Sequence, residues 1–177
     1  MCIRDRDDPD GVGAALHYSR LKPYLLPCAN DFIIFGKRYQ RPEGNPGENI
    51  AYVKSDFDDS EWRHLNLPHD WAIEGPFNID YNGSTGKLPY WGIRWYRKTL
   101  ELSQDDAGKQ IYLDIDGAMS YVSVWCNGQY VGGWPYGYAS FRLDLTPYIK
   151  AGQKNVLAIR LDNPDDTSRW YPGSGIY

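Results

Sequence analysis

Cysteine is scarce in this chain and does not pair up. Cys2, Cys28 and Cys126 are its three cysteines, and an odd count without CxxC or Cys/His spacing excludes a complete disulfide framework and a structural zinc site. Long apolar runs are missing too. Stretches such as Leu25-Leu26 and Ile33-Ile34-Phe35 are far too short to span a bilayer, and no charged start leads into an apolar core of the kind that marks a signal peptide. Periplasmic, secreted and cytoplasmic locations therefore stay open. Nor is there a basic stripe: 19 Lys and Arg are scattered among 23 Asp and Glu for a net charge of −4, which offers a phosphate backbone nothing to neutralise and excludes nucleic acid as a partner.

What the chain has is aromatic side chains and turn formers. Aromatics make up 15% of its 177 residues, with 7 Trp and 15 Tyr beside 18 Gly and 12 Pro, a mixture suited to strands joined by tight turns. A mean hydropathy of −0.61 describes a water-facing surface around one ordinary core.

Residues 1–21 show no sustained period and read as a disordered lead-in or an assembly scar, so the domain is expected over residues 22–177. Between 45 and 86, turn clusters alternate with short apolar pieces, with one helical turn expected near Ser60. The second half is more regular. Residues 93–102 are dominated by strand formers, and Ile111, Leu113 and Ile115 alternate with Tyr112, Asp114 and Asp116, the period of two of a sheet with one buried face. Asn127-Gly128 between two β-rich runs is a strong hairpin signal. Phe141, Leu143 and Leu145, then Leu157, Ile159 and Leu161, alternate in the same way. With no amphipathic segment long enough for a crossover helix, a parallel α/β sheet is excluded and an all-β, antiparallel β-sandwich is expected.

Candidate chemistry is sparse. Most acids (Asp58, Asp59, Asp105, Asp106, Asp165, Asp166) sit in turns, where carboxylates cap and solvate loops. His64, His69 and Asp70 resemble a metal cluster only superficially, since Pro68 breaks any shared helical face, and a local hydrogen-bonding role is expected. Ser84 lies in a glycine-rich loop without the strand-turn-helix setting of a nucleophile. Two segments, 132–138 and 162–177, put large aromatic rings on glycine-rich backbone. Rings can stack on the apolar faces of sugars while Asp, Asn and Arg bond hydroxyls, so Trp134 and Tyr136 are possible sugar contacts, with closure of a sandwich end as the alternative.

The motifs Phe57-Asp58-Asp59-Ser60-Glu61-Trp62, Leu67-Pro68-His69-Asp70-Trp71-Ala72-Ile73-Glu74-Gly75-Pro76-Phe77, Trp95-Tyr96-Arg97-Lys98, Asp116-Gly117, Trp125-Cys126-Asn127-Gly128, Gly137-Tyr138 and Gly175-Ile176-Tyr177 occur in order. Together they resemble the jelly-roll (galactose-binding-like) domain that opens β-galactosidases of glycoside hydrolase family 2. That resemblance implies a retaining enzyme removing terminal β-linked sugars, with its catalytic glutamates on a TIM barrel after an immunoglobulin-like domain, neither of which is in this chain. No Glu here follows an Asn, as the family's acid/base does, so the chain alone is expected to be inactive.

The resemblance also implies carbohydrate, those two further domains and a homo-oligomer as partners. It implies no cofactor or metal for this chain, with divalent or monovalent cations belonging to full-length relatives. Its substrate-proximal loop corresponds to residues 165–174. Arg169, Trp170 and Tyr171 are the candidates there, and Asp165 and Asp166 are weaker ones, because Arg169 stands where some relatives carry a cation-binding acid. Ile176-Tyr177 reads as the start of a final strand, so an isolated fragment is expected to be aggregation-prone. A free-standing carbohydrate-binding module and a structural docking sandwich remain the alternatives.

Overall fold

A computed structural model describes residues 2–7, 16, 18–25, 40–81, 86–164 and 173–177. The β-formers assemble into β1 (Cys2–Asp7), β2 (Arg63–Asn66), β3 (His69–Asp70), β4 (Gly92–Glu101), β5 (Tyr112–Ile115), β6 (Val122–Cys126), β7 (Gln129–Trp134), β8 (Phe141–Asp144), β9 (Lys154–Asn163) and β10 (Gly175–Ile176). A 6-stranded sheet has the order β2-β1-β4-β9-β6-β7, while β10 pairs with β3 and β5 with β8. Among the described residues every strand pairing is antiparallel.

The central strands are buried on both faces. On one face Tyr96, Val124, Leu157, Ile159 and Leu161 meet Ile115, Phe141 and Leu143 of the β5–β8 pair and Trp71 and Ile176 beside β3 and β10. This is the interior of the sandwich. On the other face Trp95, Trp125, Tyr130 and Ala158 lie under Leu16, Leu21, Ile50, Tyr52, Val53 and Trp62. Rings in this second layer meet edge-on, Tyr52 at 5.2 Å from Trp62 and 5.5 Å from Trp95, the arrangement their quadrupoles favour.

That outer layer has little regular structure, so its buried carbonyls need partners from side chains. Arg97, itself buried, donates to the carbonyls of Tyr52 and Lys54 and to the Asp59 carboxylate at 3.1 Å. Trp125 Nε1 donates to the Pro46 carbonyl at 2.7 Å, and the Asn45 side chain bridges the Gly128 carbonyl (2.9 Å) and the Tyr130 N–H (2.8 Å).

The Asn127-Gly128 hairpin forms as expected, with φ of 51° and 81° at its two residues, the left-handed pair that matches strand twist. Alternation is preserved in β8, whose residues are buried and exposed by turns, and β5 exposes Tyr112 and Asp114 while burying Ile115.

Two expectations are corrected. Cys2–Asp7, set outside the fold on sequence grounds, is a strand between β2 and β4, with Cys2 opposite Asn66 and Arg4 opposite Arg97, and Leu16 and Leu21 enter the second core. CIRDRD carries charge at most positions and shows no apolar period, yet backbone pairing on two sides requires none. Near Ser60 there is a turn rather than a helix, because Asp58 Oδ1 accepts the Ser60 N–H at 2.9 Å. The helical turn lies earlier, at Ala51–Val53.

Candidate functional site

One end of the sandwich is built from the close of β9, the short β3–β10 pair and the backbone around Tyr90. Asn163, buried at the end of β9, donates from Nδ2 to the carbonyls of Tyr90 (2.8 Å) and Gly173 (3.0 Å). Ser174 Oγ donates to the same Tyr90 carbonyl at 2.7 Å. The chain therefore leaves Asn163 and returns at Gly173 to one hydrogen-bonded point.

Asp70 fixes the return from the other side. Its carboxylate accepts the Ala72 N–H at 3.0 Å, the Ser174 N–H at 3.2 Å and the Tyr177 hydroxyl at 2.5 Å. Burial and the neighbouring Asp70 carboxylate raise the Tyr177 hydroxyl above its ordinary pKa. Gly175 pairs directly with Asp70, and a Cβ on it would lie 1.7 Å from the His69 carbonyl oxygen. Only glycine fits that approach.

His69 is buried against the same end. Its Nε2 lies 2.8 Å from Arg63 Nη2 and 3.3 Å from Glu74 Oε1, and its Nδ1 lies 2.9 Å from the Tyr96 hydroxyl. Partial burial would raise the neighbouring Glu74 carboxyl, but Arg63's hydrogen bond and charge, with His69 alongside, hold it below the usual carboxylate value. His69 and Asp70 thus take the hydrogen-bonding roles expected of them. Among the described residues no group of three or more His, Cys, Asp or Glu could hold a metal ion, and no helix is long and apolar enough to cross a membrane.

Asp165, Asp166, Arg169, Trp170 and Tyr171 lie outside the described residues, as does Ser84. What the structure gives for that loop is its base, the Asn163–Gly173 closure. Trp134 is half-buried, its ring stacked on Phe141 at 6.5 Å and packed against the core. Tyr136 is 57% exposed and sits 5.6 Å from the equally open Tyr138. Of the two aromatic candidates, Tyr136 presents a free ring and Trp134 closes the sandwich.

Sequence reasoning missed the clamp made by Asn163, Ser174 and Tyr90. Asn163 was grouped with residues suited to sugar hydroxyls, whereas its amide is used inside the fold. The signal available was its place directly after the apolar alternation of β9, where a buried amide ends a strand.

Residues 53–176 match the family described as "Glycosyl hydrolases family 2, sugar binding domain". Beta-galactosidase BoGH2A of Bacteroides ovatus is 47% identical over 134 residues, which are 74% of this chain and 16% of that protein. A putative beta-glucuronidase of Formosa agariphila is 40% identical over 155 residues, 82% of this chain and 15% of that protein. Among solved structures, a beta-glycosidase from Bacteroides vulgatus superposes with a TM-score of 0.66 at 42% identity, over 72% of this chain and 17% of that one. The chain thus spans about a sixth of the length of the relatives it matches. Matched over most of its length, from Val53 to Ile176, the chain belongs to glycosyl hydrolases family 2, as its sugar-binding domain.

Proposed function

We propose that this chain serves as the amino-terminal sugar-binding sandwich of a retaining, exo-acting glycoside hydrolase that removes terminal β-linked sugars. The observation that carries the reading is the family match over residues 53–176 by a chain that spans only 16% of a β-galactosidase relative. Hydrolysis of a glycosidic bond needs two carboxylates facing each other across it, and in this reading they belong to a barrel outside the 177 residues. An immunoglobulin-like domain and a homo-oligomeric assembly complete the partners.

The sandwich contributes scaffold and part of the pocket rim. Residues 165–172 spring from the closed base at Asn163 and Gly173, a rigid support for a loop that reaches toward sugar. Arg169, Trp170 and Tyr171 are the rim residues, with Asp165 and Asp166 as secondary contacts and Tyr136 as an outlying aromatic.

A terminal β-galactoside is the first substrate, after the relative with 47% identity. A β-glucuronide is the second reading, favoured by the putative beta-glucuronidase at 40% identity. The test is an assay of the whole gene product on aryl β-galactosides and β-glucuronides, in native form and as Arg169→Ala and Trp170→Ala. Turnover of one class with KM raised in the variants supports the reading; turnover of neither class, or variants with native KM, counts against the hydrolase or the rim assignment respectively.

A further inference from the structure

We infer that the outer face of the β5–β8 pair carries a sugar-binding site for a neutral hexopyranoside that acts independently of hydrolysis. A cleft of about 390 Å³ opens there, lined among the described residues by Asp114, Ile115, Asp116, Ser140, Phe141 and Arg142.

Its polar groups are of two kinds. Arg142 and Asp114 face each other across the strands in a bidentate pair, Nε to Oδ1 at 2.6 Å and Nη2 to Oδ2 at 2.9 Å. The guanidinium also lies over the Tyr112 ring, 5.1 Å from its centroid. Those contacts hold the guanidinium in place and leave Nη1 unused. Asp116 and Ser140, in contrast, are exposed, and neither side chain has a hydrogen bond or ion pair within the protein. A free carboxylate, a free hydroxyl and a fixed guanidinium edge converge on one cleft.

Two exposed rings lie on the adjoining turn. The turn that delivers Ser140 presents Tyr136 and Tyr138, 57% and 56% exposed and inclined at 58° to one another. Its backbone abuts the Asp116-Gly117 turn, since a Cβ on Gly117 would lie 3.2 Å from the Gly137 carbonyl oxygen. Carboxylate and guanidinium can each bond hydroxyls while an open ring covers the C–H face of a pyranose, the combination by which proteins hold sugars.

Charge selects among sugars. Asp114 neutralises Arg142, leaving Asp116 uncompensated, so the cleft is net negative and disfavours a uronic acid. Ile115 and Phe141 of the lining belong to the packed core, Phe141 being backed by Trp134, which fixes the base of the cleft.

The test is a chemical-shift titration of this chain with methyl β-D-galactopyranoside, and with D-glucuronate for comparison. Expected are saturable shifts at Asp116, Gly117, Tyr138 and Ser140, with affinity reduced about tenfold by Asp116→Ala, the cost of removing a charged acceptor. Ser140→Ala and Tyr138→Ala should weaken binding too. All three side chains are exposed, so unchanged melting temperatures are the control for folding. No saturable shift, a response to glucuronate as strong as to the galactoside, or binding indifferent to all three variants would overturn the site. Shifts confined to Gly173–Tyr177 would likewise overturn it while leaving the hydrolase reading untouched.

Discussion

Gly175 has no room for a side chain. The His69 carbonyl oxygen would stand 1.7 Å from any Cβ placed there, so Gly175→Ala must separate β3 from β10 and loosen the Asp70 contacts to Ser174 and Tyr177. A cost of about 1–3 kcal/mol is expected, in the range for overpacking a closed site, read as a fall in the urea midpoint. An unchanged midpoint would mean that β10 does not dock as described. Cys126 offers a second test at this scale. Burial pushes its thiol up to about 11 from an ordinary 9.0, so the folded state holds the proton longer than the unfolded one. The corresponding stability is complete below about pH 9 and is lost as pH rises through about 11. In a Cys2→Ser, Cys28→Ser background, Cys126 should resist a disulfide reagent at pH 8 until the chain is unfolded; reaction at the rate of an exposed thiol would contradict its burial.

Between residue and fold, the outer layer over Trp95 and Trp125 is the element least like regular secondary structure. Its backbone is tied to β4 largely through Arg97, which reaches Tyr52, Lys54, Phe57 and Asp59. Lysine cannot span that fork. Arg97→Lys is therefore expected to raise hydrogen exchange at residues 52–57 by at least about tenfold, consistent with losing bonds of about 1.5–3 kcal/mol to a charged donor, while β6 and β9 keep native protection. Uniform acceleration across the sheet would instead show that Arg97 supports the whole fold. The strands themselves were legible beforehand: β4 through β9 follow alternation and turn chemistry, and Asn127-Gly128 announces its own hairpin. β1 was not, because a charged strand paired on two sides leaves no apolar period. The clamp at Asn163 was hidden for a related reason, since an asparagine looks the same in sequence whether its amide faces a ligand or a buried carbonyl.

At the scale of the molecule, the excursion between β3 and β4 leaves Ile73, Phe77 and Ile79 standing 66%, 76% and 81% exposed. Large apolar side chains left this open within seven residues of sequence favour association in water. Replacing Phe77 and Ile79 by Ser should lower the concentration-dependent self-association of this chain in sedimentation velocity without lowering its melting temperature. Equal association before and after would move the cause elsewhere.

The most direct measurement is the nucleotide sequence beyond the codon for Tyr177. The account predicts an open frame encoding an immunoglobulin-like domain and then a barrel whose acid/base glutamate follows an asparagine. A stop codon immediately after Tyr177 in an intact gene would contradict it, and would make this sandwich a binding or structural module in its own right.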